Sequence, residues 1–197
     1  LENLNQNYLF YQNIDITKEM RSNMKNQVPK TIWFTGLSCS GKSTLANALE
    51  RYLTSLGKHT MLLDGDNIRL GINKDLSFSI EDRNENLRRV ANIAKLFNDA
   101  GFICINSFIT PLKSQRKMIK DIIGDDYIEV YVNTDIKTCA KRDKKGLYQK
   151  AFNNEISNFT GVNSPYEIPS NPDIIIKNND DLDDAIKELI KNIEISE

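Results

Sequence analysis

Five short runs of apolar and β-branched residues recur along the chain, and polar or glycine-containing positions bound each run. Runs of this length and composition are typical of strands that are buried on both faces of a sheet. We therefore predict five strands, at residues 31–35, 60–63, 102–109, 127–133 and 173–176.

Amphipathic segments lie between these runs. Apolar residues recur at helical spacing over 45–56 and Gly57 ends the pattern, which predicts a helix directly after the first strand. The segment 79–82 has the layout of a capping box and predicts a long helix that ends at Gly101. Further helices are predicted at about 113–123, 134–143 and 182–193.

Strand and helix alternate throughout, which predicts an α/β fold with a doubly wound, parallel five-stranded sheet flanked by helices. Two segments depart from the alternation. Residues 144–172 lose their periodicity, as is typical of a lid or binding loop, within which Tyr148 and Tyr166 would pack. Residues 1–29 are polar and Asn-rich, and we interpret them as an arm with a short helix from about Thr17; disorder is the alternative.

A glycine-containing segment joins the first strand to the helix that follows it. It reads G-x-x-x-x-G-K-S, the phosphate-binding P-loop, in the strand–loop–helix context that the motif requires. Backbone amides at the positive end of the helix would bind phosphate, the lysine would reach the outer phosphates, and the serine hydroxyl would ligate Mg²⁺. The predicted ATP-binding residues are Gly36, Leu37, Ser38, Cys39, Ser40, Gly41, Lys42, Ser43 and Thr44.

Two carboxylates, Asp64 and Asp66, directly follow the second predicted strand. Ligands of open parallel sheets gather at the carboxyl ends of the strands, so this pair would lie beside the triphosphate. The position suits a ligand of Mg²⁺ or of its water and a catalytic base, whereas an ordinary Asp-Gly turn is the alternative.

Arginines crowd the start of the long helix, at positions 83, 88 and 89, together with Asn86. Because the helix dipole favours acids there, an anionic ligand would compensate for these positive charges. A solvated charged face is the alternative interpretation.

The composition narrows the class of protein. Lys and Arg number 26 against 27 Asp and Glu, which argues against a nucleic-acid surface. No apolar run approaches the ~20 residues of a membrane span, and the amino-terminal stretch lacks the layout of a secretory signal. Three widely spaced cysteines, Cys39, Cys104 and Cys139, indicate reduced thiols and a cytoplasmic location.

Several ordered motifs resemble one family, adenylylsulfate kinase, from about Asn5 to the last helix. In this chain Trp-Phe-Thr precedes the P-loop, and Asp-Gly-Asp-Asn-Ile-Arg, at 64–69, follows the second strand. The remaining motifs lie at 76–79, 81–83, 85–89, 141–143, 145–148, 159–162 and 164–167. The resemblance implies that residues 30–197 are a P-loop kinase domain with a lid at 144–172.

This resemblance also implies a reaction and a set of roles. The γ-phosphoryl group of ATP would pass to the 3′-hydroxyl of adenylyl sulfate, giving ADP and 3′-phosphoadenylyl sulfate in sulfate assimilation. Asp66 would be the base and, with Ser43, a Mg²⁺ ligand, while Lys42 and Asp64 complete the catalytic set. The implied substrate-binding residues are Arg69, Phe78, Arg83, Asn86, Ile109, Thr110, Lys145 and Phe159, and Arg142 would lie over the ATP base. A homodimer is implied as well.

Three positions depart from the family pattern. Cys39 replaces Gly or Ala in the P-loop, and Thr110 and Lys113 replace the Ser and Arg of an Ile-Ser-Pro-Tyr-Arg segment. That serine has been proposed as a phosphorylated intermediate, but direct in-line transfer suffices. A kinase for another nucleotide-linked acceptor remains an alternative. A nucleotide switch or non-catalytic module is a third, although a guanine-specifying Asn-Lys-x-Asp run is absent and both carboxylates are present.

Overall fold

A computed structural model describes residue 10, residues 12–177 and residues 182–193. Within these ranges the strands are β1 (Thr31–Thr35), β2 (Thr60–Asp64), β3 (Ile103–Ser107), β4 (Tyr127–Asn133) and β5 (Ile174–Lys177). The helices are α1 (Lys18–Lys25), α2 (Lys42–Ser55), α3 (Gly65–Leu70), α4 (Ile80–Asp99), α5 (Lys113–Ile123), α6 (Ile136–Arg142), α7 (Leu147–Phe152) and α8 (Leu182–Asn192). None of the helices in these ranges is both long and apolar enough to cross a membrane.

All five strands are parallel, in the order β2-β3-β1-β4-β5. This confirms the predicted α/β fold and its doubly wound sheet. β1 lies at the centre, with β3 on one side and β4 on the other. The strand order therefore reverses direction next to β1. Such a switch point opens a crevice at the carboxyl ends of the strands, where the loop after β1 lies.

Two apolar layers cover the sheet because alternate residues of a strand face opposite sides. One layer packs the sheet against α2 and α8 through Ile32, Phe34, Leu45, Leu49 and Leu189, among others. The other packs it against α4 and α5 through Trp33, Leu87, Val90, Ala94 and Ile119, among others. The elements on both sides of the P-loop, β1 and α2, are therefore anchored in the core.

Two short helices lie in segments for which the sequence predicts no regular structure. α3 follows β2 directly because the Asp64 carboxylate caps it, accepting a hydrogen bond from the Asp66 amide at 3.0 Å. The Asp-Gly pair thus begins a helix instead of a simple turn. α7 lies inside the segment predicted as a lid.

The described part of the predicted arm packs on the domain through α1. Arg21 donates from Nη1 to the Asp99 carbonyl oxygen at 3.1 Å, at the end of α4. Gln27 donates from Nε2 to the Gly101 carbonyl oxygen at 2.8 Å. Residues 1–9 and 11 of the arm lie outside the described ranges.

Gly101 gives a test of this packing. Its φ is +85°, and a Cβ there would lie 3.0 Å from the Arg21 carbonyl oxygen. We expect Gly101→Ala to lower the free energy of unfolding by about 2–3 kcal/mol, since backbone strain and the close approach to α1 add.

Gly57→Ala is the matched control, because Gly57 has a φ of +74° but faces open space. This variant has the backbone strain without the close approach, so its free energy of unfolding should fall by about 1 kcal/mol. Urea unfolding measures both variants, and equal losses would contradict the packing of α1 on the end of α4.

Candidate active site

The loop between β1 and α2 has the shape of an anion cradle. Gly36 has a φ of 154°, and a Cβ there would lie 2.8 Å from the Val132 carbonyl oxygen, so the chain passes close to β4. Cys39 also adopts a positive φ, 59°, and it takes the strained turn without a glycine. α2 begins after Gly41, and its cap has no side-chain hydrogen bond. The first amides of α2 are therefore available to a phosphate.

Lys42 lies under this loop, with only 7% of its surface exposed. Its Nζ donates to the Leu37 carbonyl oxygen at 2.6 Å. Burial lowers the pKa of Lys42 to about 8, although Cys139, Cys39 and Asp64 act in the opposite direction. The ammonium is held at the loop's inner wall, where phosphate oxygens would be its natural partners.

A cluster of oxygen atoms joins the loop to β2 and α3. Ser43 donates from its hydroxyl to Asp64 Oδ2 at 2.7 Å, and the Ser107 hydroxyl lies 3.1 Å from the same Ser43 oxygen. Asp66 lies on α3 with its Oδ2 3.0 Å from Lys145 Nζ. The two predicted carboxylates thus face different partners, Ser43 for Asp64 and Lys145 for Asp66.

Two arginines and an aromatic ring, Arg69, Arg83 and Phe78, form a cluster at the far end of α3. The Arg69 guanidinium lies 4.5 Å from the Phe78 ring centroid and donates to the Ser77 carbonyl oxygen at 2.9 Å. Arg83 donates from Nε to the Phe78 carbonyl oxygen at 2.9 Å. Burial, and then the charge of Arg69, lower the pKa of Arg83. Two like charges held this close favour an anionic ligand.

The Phe78 side chain is available to that ligand, because 66% of the residue's surface is exposed. Asn86, in contrast, is 4% exposed, and its side-chain oxygen accepts a hydrogen bond from Asn73 Nδ2 at 3.0 Å. Asn86 therefore joins α4 to the segment that follows α3, and its side chain is not exposed to a ligand in this structure.

The turn after β3 contacts the end of β1 and the start of the P-loop. The Ile109 carbonyl oxygen accepts hydrogen bonds from the Thr35 hydroxyl at 2.7 Å and the Gly36 amide at 3.3 Å. Thr110 has a φ of 44°, and its hydroxyl accepts a hydrogen bond from Trp33 Nε1 at 2.9 Å. With 1% of Thr110 exposed, its hydroxyl points into the core.

The segment predicted as a lid lies against the P-loop. Tyr148 donates from its hydroxyl to the Ser38 carbonyl oxygen at 2.9 Å, and the Phe159 ring packs edge-on against Tyr148 with centroids 4.8 Å apart. Lys145 reaches from the same segment to Asp66. Arg142, the last residue of α6, is half-buried just before it.

Three contacts of the site involve residues that the sequence does not single out for it. Ser107 ends β3 and contacts Ser43, and its place at the carboxyl end of a predicted strand is the signal that could have found it. Thr160 accepts a hydrogen bond from Arg83 Nη1 at 3.4 Å. Tyr148, predicted only to pack within the lid, contacts a residue 110 positions away, and no local pattern reports such a contact.

The site has two halves that meet at α3. One half suits a triphosphate, with its glycine turn, helix terminus and buried lysine. The other half suits an anion that carries an aromatic ring. A parallel sheet with this loop after its first strand is the architecture of P-loop nucleotide-binding proteins, and a second group of cations beside the loop is typical of the small-molecule kinases among them.

Comparison with known proteins gives the family. The model of the adenylylsulphate kinase family matches residues 28–177, and the chain belongs to this family. The bifunctional enzyme NodQ of Rhizobium tropici is 55% identical over 168 residues, which are 85% of this chain and 27% of NodQ. The adenylyl-sulfate kinase of Clostridium kluyveri is 51% identical over 164 residues, 83% of this chain and 82% of that protein. The chain thus spans about a quarter of NodQ but most of the Clostridium protein.

A solved structure gives the same result. The APS kinase CysC of Mycobacterium tuberculosis, in complex with AMPPNP and APS, superposes with a TM-score of 0.81 at 44% identity. The match covers 84% of this chain and 98% of that one. The fold and the family therefore agree.

The lowered pKa of Lys42 predicts a proton uptake on nucleotide binding. A bound triphosphate raises the pKa of the ammonium above that of the free protein, because opposite charge favours the protonated form. With a free-state pKa of about 8, binding of Mg-ATP at pH 8 should take up roughly half a proton from Lys42. The contribution of Lys42 to affinity is complete below this pKa and is lost as the pH rises through the higher pKa of the complex.

Calorimetric titration in buffers of different ionisation enthalpy measures this uptake. The control is Lys42→Arg, which keeps the charge at all accessible pH values and should show no such uptake. At about pH 6.5 the two proteins should behave alike, since Lys42 is then already protonated. Equal proton uptake by the two proteins at pH 8 would contradict the lowered pKa.

Proposed function

We propose that this chain transfers the γ-phosphoryl group of ATP to the 3′-hydroxyl of adenylyl sulfate, giving ADP and 3′-phosphoadenylyl sulfate. The observation that carries the proposal is the position of α3. Its cap, Asp64, contacts the P-loop serine Ser43, and Arg69 near its other end contacts Phe78 of the cluster there. One short helix would thus join the proposed triphosphate site to a cluster that suits an anionic, ring-bearing acceptor.

The comparisons support this substrate pair. The Clostridium relative, of which this chain spans most of the length, is named adenylyl-sulfate kinase. The Mycobacterium structure contains AMPPNP, which stands in for ATP, and APS, and its fold is the same.

The proposed reaction is a direct displacement at the γ-phosphorus. The 3′-oxygen of the acceptor forms a bond to this phosphorus as the bond to the β,γ-bridging oxygen breaks, and ADP leaves. Asp66 accepts the proton of the 3′-hydroxyl, while Lys42 balances the charge of the outer phosphates. Most of the rate would come from positioning and charge neutralisation, since the protein itself makes no covalent bond.

Mg²⁺ fits the oxygen cluster at the start of α3. In the described part of the chain no group of three or more His, Cys, Asp and Glu residues could hold a metal by itself. Hydroxyl and carboxylate oxygens from Ser43 and Asp66, with Asp64 adjacent, would bind it together with water and phosphate oxygens, as is usual for Mg²⁺. When bound there, the ion would supply charge neutralisation to the phosphate oxygens.

For the acceptor we propose the roles that the resemblance to the family implies. Arg69 and Arg83 would bind the phosphosulfate, and the rings of Phe78 and Phe159 would stack on the adenine. The turn at Ile109 and Thr110 would contribute backbone groups. Lys145 would exchange its partner Asp66 for the acceptor, Asn86 would support the acceptor site, and Arg142 would lie over the ATP base.

We further propose a cytoplasmic homodimer. All three cysteines, Cys39, Cys104 and Cys139, are free thiols, which suits a reducing compartment. The exposed Met20 and Met24 of α1 suit a contact between subunits, and the resemblance to the family implies the dimer.

A second candidate is a kinase for another nucleotide-linked acceptor. Lys113 stands where the family has arginine, close in sequence to the turn at Ile109 and Thr110. The lysine ammonium is a point charge, whereas a guanidinium can donate two parallel hydrogen bonds to an anion. The Lys113 amide donates to the Glu167 carboxylate, which ties this turn to the end of the lid.

ADP release from Mg-ATP distinguishes these functions. We expect release to depend strongly on added adenylyl sulfate, because in-line transfer needs the acceptor hydroxyl in place, and the product should gain one phosphoryl group by mass. Absence of stimulation in a folded protein that binds ATP would overturn the proposed acceptor and favour the second candidate.

The matched variant for this assay is Asp66→Ala. It should bind ATP nearly as well as the unchanged protein, since the P-loop contacts do not involve Asp66, and Ser43, water and phosphate oxygens would still ligate Mg²⁺. Turnover should fall by about 10²–10⁴, the usual contribution of a general base. Activity close to that of the unchanged protein would contradict the role of Asp66.

Phe159→Ala tests the stacking role. We expect acceptor binding to weaken by roughly 5- to 100-fold, the usual effect of removing one base-stacking ring, with little change in ATP binding. Phe152→Ala is the control, because Phe152 also packs against Tyr148 in the lid but is 51% exposed on α7. Dissociation constants from calorimetry measure both, and equal losses for ATP and acceptor would contradict the assignment.

A further inference from the structure

Tyr148 is a buried side chain that contacts both the P-loop and the Phe159 ring. The residue is 2% exposed, although it belongs to a segment that lies mostly on the surface. Its hydroxyl donates to the Ser38 carbonyl oxygen in the P-loop at 2.9 Å. Its ring packs against the Phe159 ring in a T-shaped arrangement, at a centroid distance of 4.8 Å and an interplanar angle of 76°.

The backbone of Tyr148 is also fixed. Asp143 accepts hydrogen bonds from the Tyr148 amide at 2.8 Å and from the Lys145 amide at 2.9 Å. This carboxylate therefore holds both the start of α7, where Tyr148 reaches the P-loop, and the residue just before the helix cap, Lys145, which reaches Asp66. Because its backbone is held in this way, Tyr148 has little freedom to shift when the P-loop moves.

The Tyr148 hydroxyl is kept as a donor. Burial raises its pKa, with the nearby Cys139 as a smaller cause in the same direction, so the hydroxyl stays protonated at all physiological pH values. A loop that binds phosphate turns its amides toward the ligand, and the carbonyl of Ser38 is left to bond elsewhere. A buried tyrosine with a purely structural role could donate to any nearby oxygen. The Tyr148 hydroxyl donates to Ser38, which belongs to the P-loop itself.

We propose that Tyr148 is a positioning residue that couples the ATP loop to the acceptor ring of Phe159. The inference rests on the proposed function, in which Phe159 stacks on the acceptor base. When a triphosphate fixes the loop, the Ser38 carbonyl fixes the Tyr148 ring, and Phe159 is held against it in its stacking position. Each substrate therefore prepares the protein for the other, and by thermodynamic linkage the effect is reciprocal.

The test is the affinity for AMPPNP with and without saturating adenylyl sulfate. In the unchanged protein we expect the acceptor to tighten AMPPNP binding. In Tyr148→Phe this tightening should shrink by roughly 5-fold, the usual worth of one hydrogen bond, because the ring contact with Phe159 remains but the bond to Ser38 is lost.

Tyr52→Phe is the matched control. Tyr52 lies on α2, the helix that follows the P-loop, but is 36% exposed near its far end. The Tyr52→Phe variant also loses a tyrosine hydroxyl, but adenylyl sulfate should tighten its AMPPNP binding as much as in the unchanged protein. Thermal unfolding of the two variants checks that both are folded, and Tyr148→Leu, which also removes the ring contact, should lose at least as much coupling as Tyr148→Phe.

The outcomes separate the two proposals. If the unchanged protein binds and phosphorylates adenylyl sulfate while Tyr148→Phe keeps full coupling, the role of Tyr148 is overturned and the proposed function stands. The same holds if the unchanged protein shows no coupling. If the unchanged protein does not bind adenylyl sulfate, the proposed acceptor and this inference both fail.

Discussion

The hydrogen bond between the Ser43 hydroxyl and the Asp64 carboxylate is the contact on which the site depends. It joins the P-loop helix α2 to the end of β2, and the other oxygen of Asp64 caps α3. Because α3 carries both Asp66 and Arg69, this one carboxylate fixes the direction in which a base and an anion-binding arginine leave the sheet. The parallel sheet makes the contact possible, since the carboxyl ends of its strands all meet at one edge.

The cations of the site already have partners in the structure. Lys42 donates to a loop carbonyl, Lys145 pairs with Asp66, and Arg69 and Arg83 donate to carbonyl groups of the Phe78 segment. These contacts hold the side chains close to where the proposed substrates would bind. The pair between Lys145 and Asp66 is highly exposed on both sides, so it contributes little stability and can be exchanged at small cost.

The sequence predicts the features that depend on local pattern. All five strands, the P-loop and its helix, and the cap of the long helix at Ser79 can be read from short-range spacing, and the structure has each of them. It does not predict α3 as a helix, because a single capping carboxylate decides between a turn and a helix. The contact between Tyr148 and Ser38 could not be predicted either, since it joins positions 110 residues apart and leaves no periodic signal. The ligand roles of the site residues remain predictions.

The surroundings of Thr110 bear on the chemistry of phosphoryl transfer. A phosphorylated intermediate at this position would need a hydroxyl that can reach the γ-phosphorus. Thr110 is only 1% exposed, and its hydroxyl instead accepts a hydrogen bond from the Trp33 indole N–H. The Thr110 carbonyl oxygen accepts a hydrogen bond from the buried Arg116. Freeing the hydroxyl would leave a buried indole N–H unpaired, which is costly. Direct transfer to the acceptor needs no such rearrangement, so the packing around Trp33 favours the in-line mechanism.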